Sequence, residues 1–219
     1  MSRTPPSQIA LPLSARRPAE PPRIVVGAAN AAVIEALQAC ERWPFHVAVL
    51  TGPPRSGKSL LARWAQRLAG AERLEVIDDA ETADETALFH RWNAVQQGGV
   101  SEGAALLLVV NTGEESGGWQ IALPDLASRI GGSLHLEIGA PDDAMAAELI
   151  LAHAEQRGLS LPAGAGEYLA ARTTRSFAAI ETLVATIDRI SLERQTPATM
   201  SVWRAALEAL HGPEQGRLF

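Results

Sequence analysis

Apolar residues follow two regimes along this chain. Between residues 45 and 138, short apolar runs alternate with stretches of helical spacing, and beyond Pro141 only helical spacing remains. Ala31 to Cys40 reads as a helix after Asn30, a cap or turn residue, with Val33, Ile34, Leu37 and Cys40 facing the core. Phe45 to Leu50 is a short apolar strand, and Leu60 to Leu68 resumes helical periodicity. Arg73 to Ile77 is the next strand, ending in Asp78-Asp79, and Glu85 to Gln97 is a helix with Leu88, Phe89, Trp92 and Val95 on one face. Ala104 to Val110 is almost wholly apolar, as a parallel strand covered on both faces should be. Leu126 to Ile130 starts a short helix, and Ser133 to Ile138 alternates as a half-exposed strand. Helices at 142–157, 163–172, 176–194 and 198–210 complete the chain. The pattern predicts an α/β parallel-sheet (αβα) core over 23–140, followed by a small all-helical lid over 141–212.

The ends differ from the middle. Residues 1–22 carry Pro5, Pro6, Pro12, Pro18, Pro21 and Pro22 and are expected to form a flexible tail, with residues 213–219 as a second one. The 219 residues can bury a real core without disulfides, and the single cysteine, Cys40, suits a reducing compartment. No apolar stretch of membrane-spanning length opens the chain, so a cytoplasmic location and no membrane partner are expected. A net charge of -6 argues against a broad phosphate-tracking surface for DNA.

Candidate chemistry begins at GPPRSGKS, residues 52–59, a full match to G-x-x-x-x-G-K-[ST] between a strand and a helix. Gly52, Pro53, Pro54, Arg55, Ser56 and Gly57 would wrap phosphates with backbone, backed by a helix N-terminus rich in unpaired N–H groups. Lys58 would reach the β and γ phosphates of ADP or ATP, and Ser59 would ligate Mg2+. LEVIDD at 74–79 supplies carboxylates at a strand end: Asp78 for the metal and Asp79 to polarise a water, although paired acids also suit a surface turn. Asn111, ending the 104–110 strand, could orient water or touch the γ phosphate, or simply make a turn with Thr112-Gly113. Arg129 could serve the chain's own nucleotide or a partner's as an arginine finger, and Arg175 could close over phosphates from the helical region. The five histidines share no metal spacing, and Cys40 has no triad partner.

With these residues in view, IVVGAANAAVIEAL, GPPRSGKSLLARW, LEVIDDAE, ETALFHRWNAV, LLLVVN and ALPDLASRI together resemble the DnaA family of AAA+ proteins, specifically its Hda-type regulatory inactivators. The resemblance spans roughly 24–210; its narrower marks are Trp119, LPDLASR at 123–129 and RSFAAIETLVATIDRISL at 175–192. It implies an ADP-bound regulator that sits on the DNA-loaded sliding clamp (the polymerase β subunit) and stimulates ATP hydrolysis by the initiator DnaA. Carried over by motif, Arg129 is the arginine finger, Asn111 the first sensor position, Arg175 the second sensor, and Asn30 lies near the adenine. Gln8, Leu11, Pro12 and Leu13 resemble the clamp-docking peptide Q-x-x-L-P-L, and Gln215, Leu218 and Phe219 resemble its Q-x-x-L-F form. DNA is then reached indirectly, and head-to-tail pairing makes a homodimer another possible partner.

The chain departs from the family pattern in three places. Only about five residues separate Leu68 from Leu74, which leaves room for a four-stranded sheet with one core strand missing and a trimmed pocket on that side. Residues up to 219 show no helix-turn-helix pattern of the kind by which the family's initiator reads origin DNA, so sequence-specific DNA binding is not expected. Asn111 stands where the family often has Asp or Arg, which argues for weak intrinsic hydrolysis. Two rival readings stay open: a self-contained ATPase of minimal initiator type, and a non-catalytic initiator-binding protein.

Overall fold

The structure is a computed structural model, and it describes residues 23–97, 104–111 and 118–211. It divides into two compact units, one running from Val26 to Asp142 and the other taking up the chain from Asp143, together with the described residues 23–25.

The α/β unit contains α1 (Ala31–Leu37), β1 (Val47–Thr51), α2 (Lys58–Ala69), β2 (Leu74–Ile77), α3 (Glu85–Gln96), β3 (Ala105–Val109), α4 (Pro124–Gly131) and β4 (Leu134–Glu137). The four strands form one parallel sheet in the order β2-β3-β1-β4. A further parallel strand between α2 and β2 would need its own crossover of about a dozen residues or more. The short link from Ala69 to Leu74 therefore carries α2 straight into β2, and the sheet has the reduced strand number that the spacing implies.

Alternation along the central strands assigns the two faces. Val47, Val49, Leu106 and Leu108 pack with Leu88, Val95, Leu126 and Ile130 from α3 and α4. Ala48, Leu50, Leu107 and Val109 are equally buried on the opposite face, where α2 supplies Leu61, Ala62 and Ala65. All five residues of β3 are buried, consistent with its central place and its apolar run.

Two element starts and ends differ from the sequence expectation. The chain at Phe45 and His46 takes left-handed φ values of 53° and 54°, forming a 3₁₀ turn over Pro44–His46, so β1 begins at Val47 rather than Phe45. The first helix stops at Leu37, and Cys40 opens a separate 3₁₀ turn as a half-buried residue instead of a core-facing helical one.

The helical unit contains α5 (Asp143–Gln156), α6 (Ala165–Ala170), α7 (Phe177–Arg194) and α8 (Met200–His211). Ile150, Leu169, Ile180, Leu183, Val184, Ile187, Val202 and Trp203 form its core. Burying each such side chain stabilises by about 1.5–3 kcal/mol. Gly166 lets α6 approach α5, since a Cβ there would lie 2.9 Å from the Ala147 carbonyl oxygen.

Candidate functional site

Parallel strands place their C-terminal ends at one edge of a sheet, where ligands of α/β proteins bind. Leu50 pairs with Val109 and Ile77 with Leu108, so the residues following β1, β2 and β3 emerge side by side. Those residues are the Gly52–Ser59 loop, Asp78-Asp79 and Asn111.

The loop is fixed by close packing at its start and by an α-helix at its end. A Cβ on Gly52 would stand 2.9 Å from the Ile138 Cβ, so only glycine lets the loop leave β1 against the end of β4. Gly57 is left-handed (φ 88°) and gives way to α2, whose first residues are Lys58 and Ser59. The first four N–H groups of an α-helix have no intrahelical acceptor, so this end offers donors to an anion. Pro54 and Arg55 are exposed, and Pro53 and Ser59 are half-buried. The Ser56 hydroxyl is buried without a hydrogen-bond partner among the described residues. An orphaned hydroxyl, a glycine-only approach and a helix N-terminus fit the phosphates of a nucleotide.

Lys58 is 5% exposed, and its Nζ donates to the carbonyl oxygens of Gly52 (2.8 Å) and Pro53 (3.0 Å). Burial pushes its pKa down, while Glu81, Asp78 and Asp79 oppose that shift through their negative charge. Three carboxylates thus lie close enough to act on the loop lysine, and Glu81 was not among the residues that the motif reading singled out. The exposed acids Asp78 and Asp79, with the Ser59 hydroxyl, have the oxygen-donor chemistry of a Mg2+ site completed by phosphates and water. Among the described residues there is no group of three or more His, Cys, Asp or Glu side chains arranged for a metal.

Asn111 joins these acids. Its side-chain amide donates to the Asp79 carboxylate, and its backbone N–H donates to Glu81 Oε2 at 3.1 Å. Asp79 holds a left-handed φ of 52°, which turns the chain from β2 into the 3₁₀ turn carrying Glu81. Asn30 also lies toward this edge: its Oδ1 accepts from the Gly27 N–H at 2.9 Å, and the neighbouring Ala29 carbonyl accepts from Gly139, one residue beyond Ile138.

Arg129 is placed differently. It is half-buried on α4, its guanidinium donates to Asn93 Oδ1, and its Cζ stands 4.3 Å from the Phe89 ring centre and 4.7 Å from that of Trp92. Its side chain therefore docks on α3. The same helix anchors the start of α4, since Glu85 accepts from the backbone N–H groups of Ala122 (2.8 Å) and Leu123 (2.6 Å). Glu85 and Asn93 carried no signal beyond their helical spacing. Arg175 lies in the helical unit, exposed and paired with Asp143 at 2.8 Å. Burial raises the Cys40 pKa, the opposite of an activated thiol. Gln8, Leu11, Pro12, Leu13, Gln215, Leu218 and Phe219 lie outside the described residues.

Comparison with known proteins identifies the lid type and the fold. Residues 143–207 match the family model described as Hda, lid domain. Domain III of the Thermotoga maritima replication initiation protein DnaA superposes with a TM-score of 0.67 at 14% identity, over 87% of this chain and 95% of that one. The fold is that of AAA+ proteins, with a helical region that matches an Hda-type lid. A replication initiator DnaA bound to AMPPCP and single-stranded DNA gives a TM-score of 0.58 at 17% identity, covering 78% of this chain and 66% of that one. The Thermotoga maritima RuvB Holliday junction branch migration motor gives 0.58 at 16% identity, over 84% and 70%, so the AAA+ fold is shared well beyond DnaA. No curated protein matches the chain. No helix among the described residues is long and apolar enough to cross a membrane.

Proposed function

We propose that this AAA+ protein is an Hda/DnaA-like, clamp-associated negative regulator of replication initiation that stimulates hydrolysis of ATP held by the initiator DnaA. The observation that carries the reading is an Hda-type lid on the same chain as a phosphate loop with its lysine and acids assembled.

Lys58 and the amides of the 52–59 loop bind the phosphates of ADP or ATP, Ser59 and Asp78 hold Mg2+, and the Asn30 turn lies near the adenine. Bound Mg2+ neutralises phosphate charge. Asn111 and Asp79 form the first sensor and the acid that polarises water, and Arg175 acts as the second sensor. Arg129 is delivered in trans to the initiator's nucleotide, where an arginine finger contributes about 10³ to 10⁵ in rate. Gln8, Leu11, Pro12 and Leu13, with Gln215, Leu218 and Phe219, dock on the clamp's β subunit, so DNA is engaged through the clamp. A second copy of this chain can occupy the same head-to-tail position as the initiator.

The test is ATP hydrolysis by the initiator with and without this chain and DNA-loaded clamp. Stimulation is expected only with the clamp, and alanine at both Leu11 and Leu13 is expected to abolish it. Hydrolysis by the chain alone that disappears in Lys58→Ala would instead identify a self-contained ATPase.

A further inference from the structure

Three side chains of α3 hold Arg129, and none of them carries a charge. Phe89, Trp92 and Asn93 stand at i, i+3 and i+4, the spacing that brings side chains together on one helix face. The two rings lie beside the guanidinium carbon at 4.3 and 4.7 Å, and Asn93 Oδ1 accepts from Nη1. Trp92 extends this shelf to Phe45, whose ring centre lies 5.9 Å away and which is itself 52% exposed. The Trp92 Nε1 is buried with no acceptor among the described residues.

The neutrality of the shelf matters for what Arg129 can do. A carboxylate at position 93 would orient the guanidinium and also neutralise it, and an arriving phosphate would have to displace that partner. An amide and two ring faces orient it while leaving its charge available. We propose that Asn93 is a positioning residue for Arg129: with Phe89 and Trp92 it presents the guanidinium to the phosphates of a nucleoside triphosphate bound by another DnaA-like core. This inference rests on Arg129 acting in trans, as in the proposed function.

The experiment uses the full chain with initiator and loaded clamp, comparing wild type with Asn93→Ala, a substitution that an α-helix accommodates well. Nitrogen-15 relaxation of the Arg129 Nε reports the order of the guanidinium in the same proteins. Asn93→Ala should mobilise Arg129 and lower the maximal stimulated rate by about 10- to 100-fold, the scale of a misplaced reacting group. The concentration of the chain giving half-maximal stimulation should stay unchanged. A maximal rate equal to wild type, a loss confined to half-saturation, or an Arg129 that stays ordered would each overturn the inference. Failure of wild type itself to stimulate would remove the functional reading and this inference with it, whereas stimulation unaffected by Asn93→Ala removes the inference alone.

Discussion

The Lys58 Nζ lies 2.8 Å from the Gly52 carbonyl oxygen, so the 52–59 loop turns its own lysine inward. The ammonium is buried, and burial is the largest influence on its pKa, pushing it down. A phosphate is a better partner for this charge than two neutral carbonyls. Lys58→Met should therefore leave the nucleotide-free protein at least as stable, with gains of about 1–2 kcal/mol in urea unfolding, because a buried charge gives way to an apolar chain of similar length. The same substitution should weaken Mg-ADP binding by about 10- to 100-fold in a titration with labelled nucleotide. Loss of stability without loss of binding would contradict a phosphate-directed lysine.

Gly52→Ala probes the junction of loop and sheet. The added Cβ would meet the Ile138 Cβ at 2.9 Å and the Ile138 carbonyl oxygen at 3.1 Å, and neither atom can swing away. Destabilisation of about 1–3 kcal/mol is expected, together with weaker nucleotide binding because the loop must shift. Urea unfolding and the same nucleotide titration check both.

Glu85→Ala should loosen α4. The carboxylate accepts two backbone N–H groups immediately before and at the start of that helix, so about 1–3 kcal/mol of stability is expected to be lost. Hydrogen exchange at Ala122 and Leu123 should accelerate in the variant while β3 amides keep their relative protection.

The helical unit contains a pH-sensitive residue. Burial depresses the His153 pKa below 6.5; Glu181 on α7 and a hydrogen bond donated by the ring to the Gln156 side chain oppose the shift, and Arg157 adds to it. Protons then bind the unfolded chain more readily than the folded one between the depressed value and 6.5. The stability associated with neutral His153 is complete above 6.5 and is lost as the pH falls through the folded value. His153→Gln should flatten the acid side of the stability profile below pH 6.5, measured by thermal unfolding.

Much of this arrangement was legible in the sequence because it is local. The apolar run of β3, the glycine-bearing loop between β1 and α2, the short link from Ala69 to Leu74 and the four late helices each follow from neighbouring residues. The turn at Phe45 and His46 was not legible: both look like strand residues, yet they adopt left-handed backbone before β1. The contacts that organise the site were also hidden, because they join residues far apart in the chain. Asn111 reaches back to Asp79 and Glu81, Leu123 to Glu85, and Arg129 to Asn93. Periodicity shows which face of α3 is buried, but not which polar group on that face meets an arginine on another helix.

The most direct measurement is single-turnover hydrolysis of ATP preloaded on the initiator, in the presence of DNA-loaded clamp, comparing the intact chain with Arg129→Ala at saturating concentration. The account predicts that the intact chain accelerates hydrolysis and that Arg129→Ala loses about 10³-fold or more of that rate while still binding clamp and initiator. Equal rates for the two proteins would contradict it.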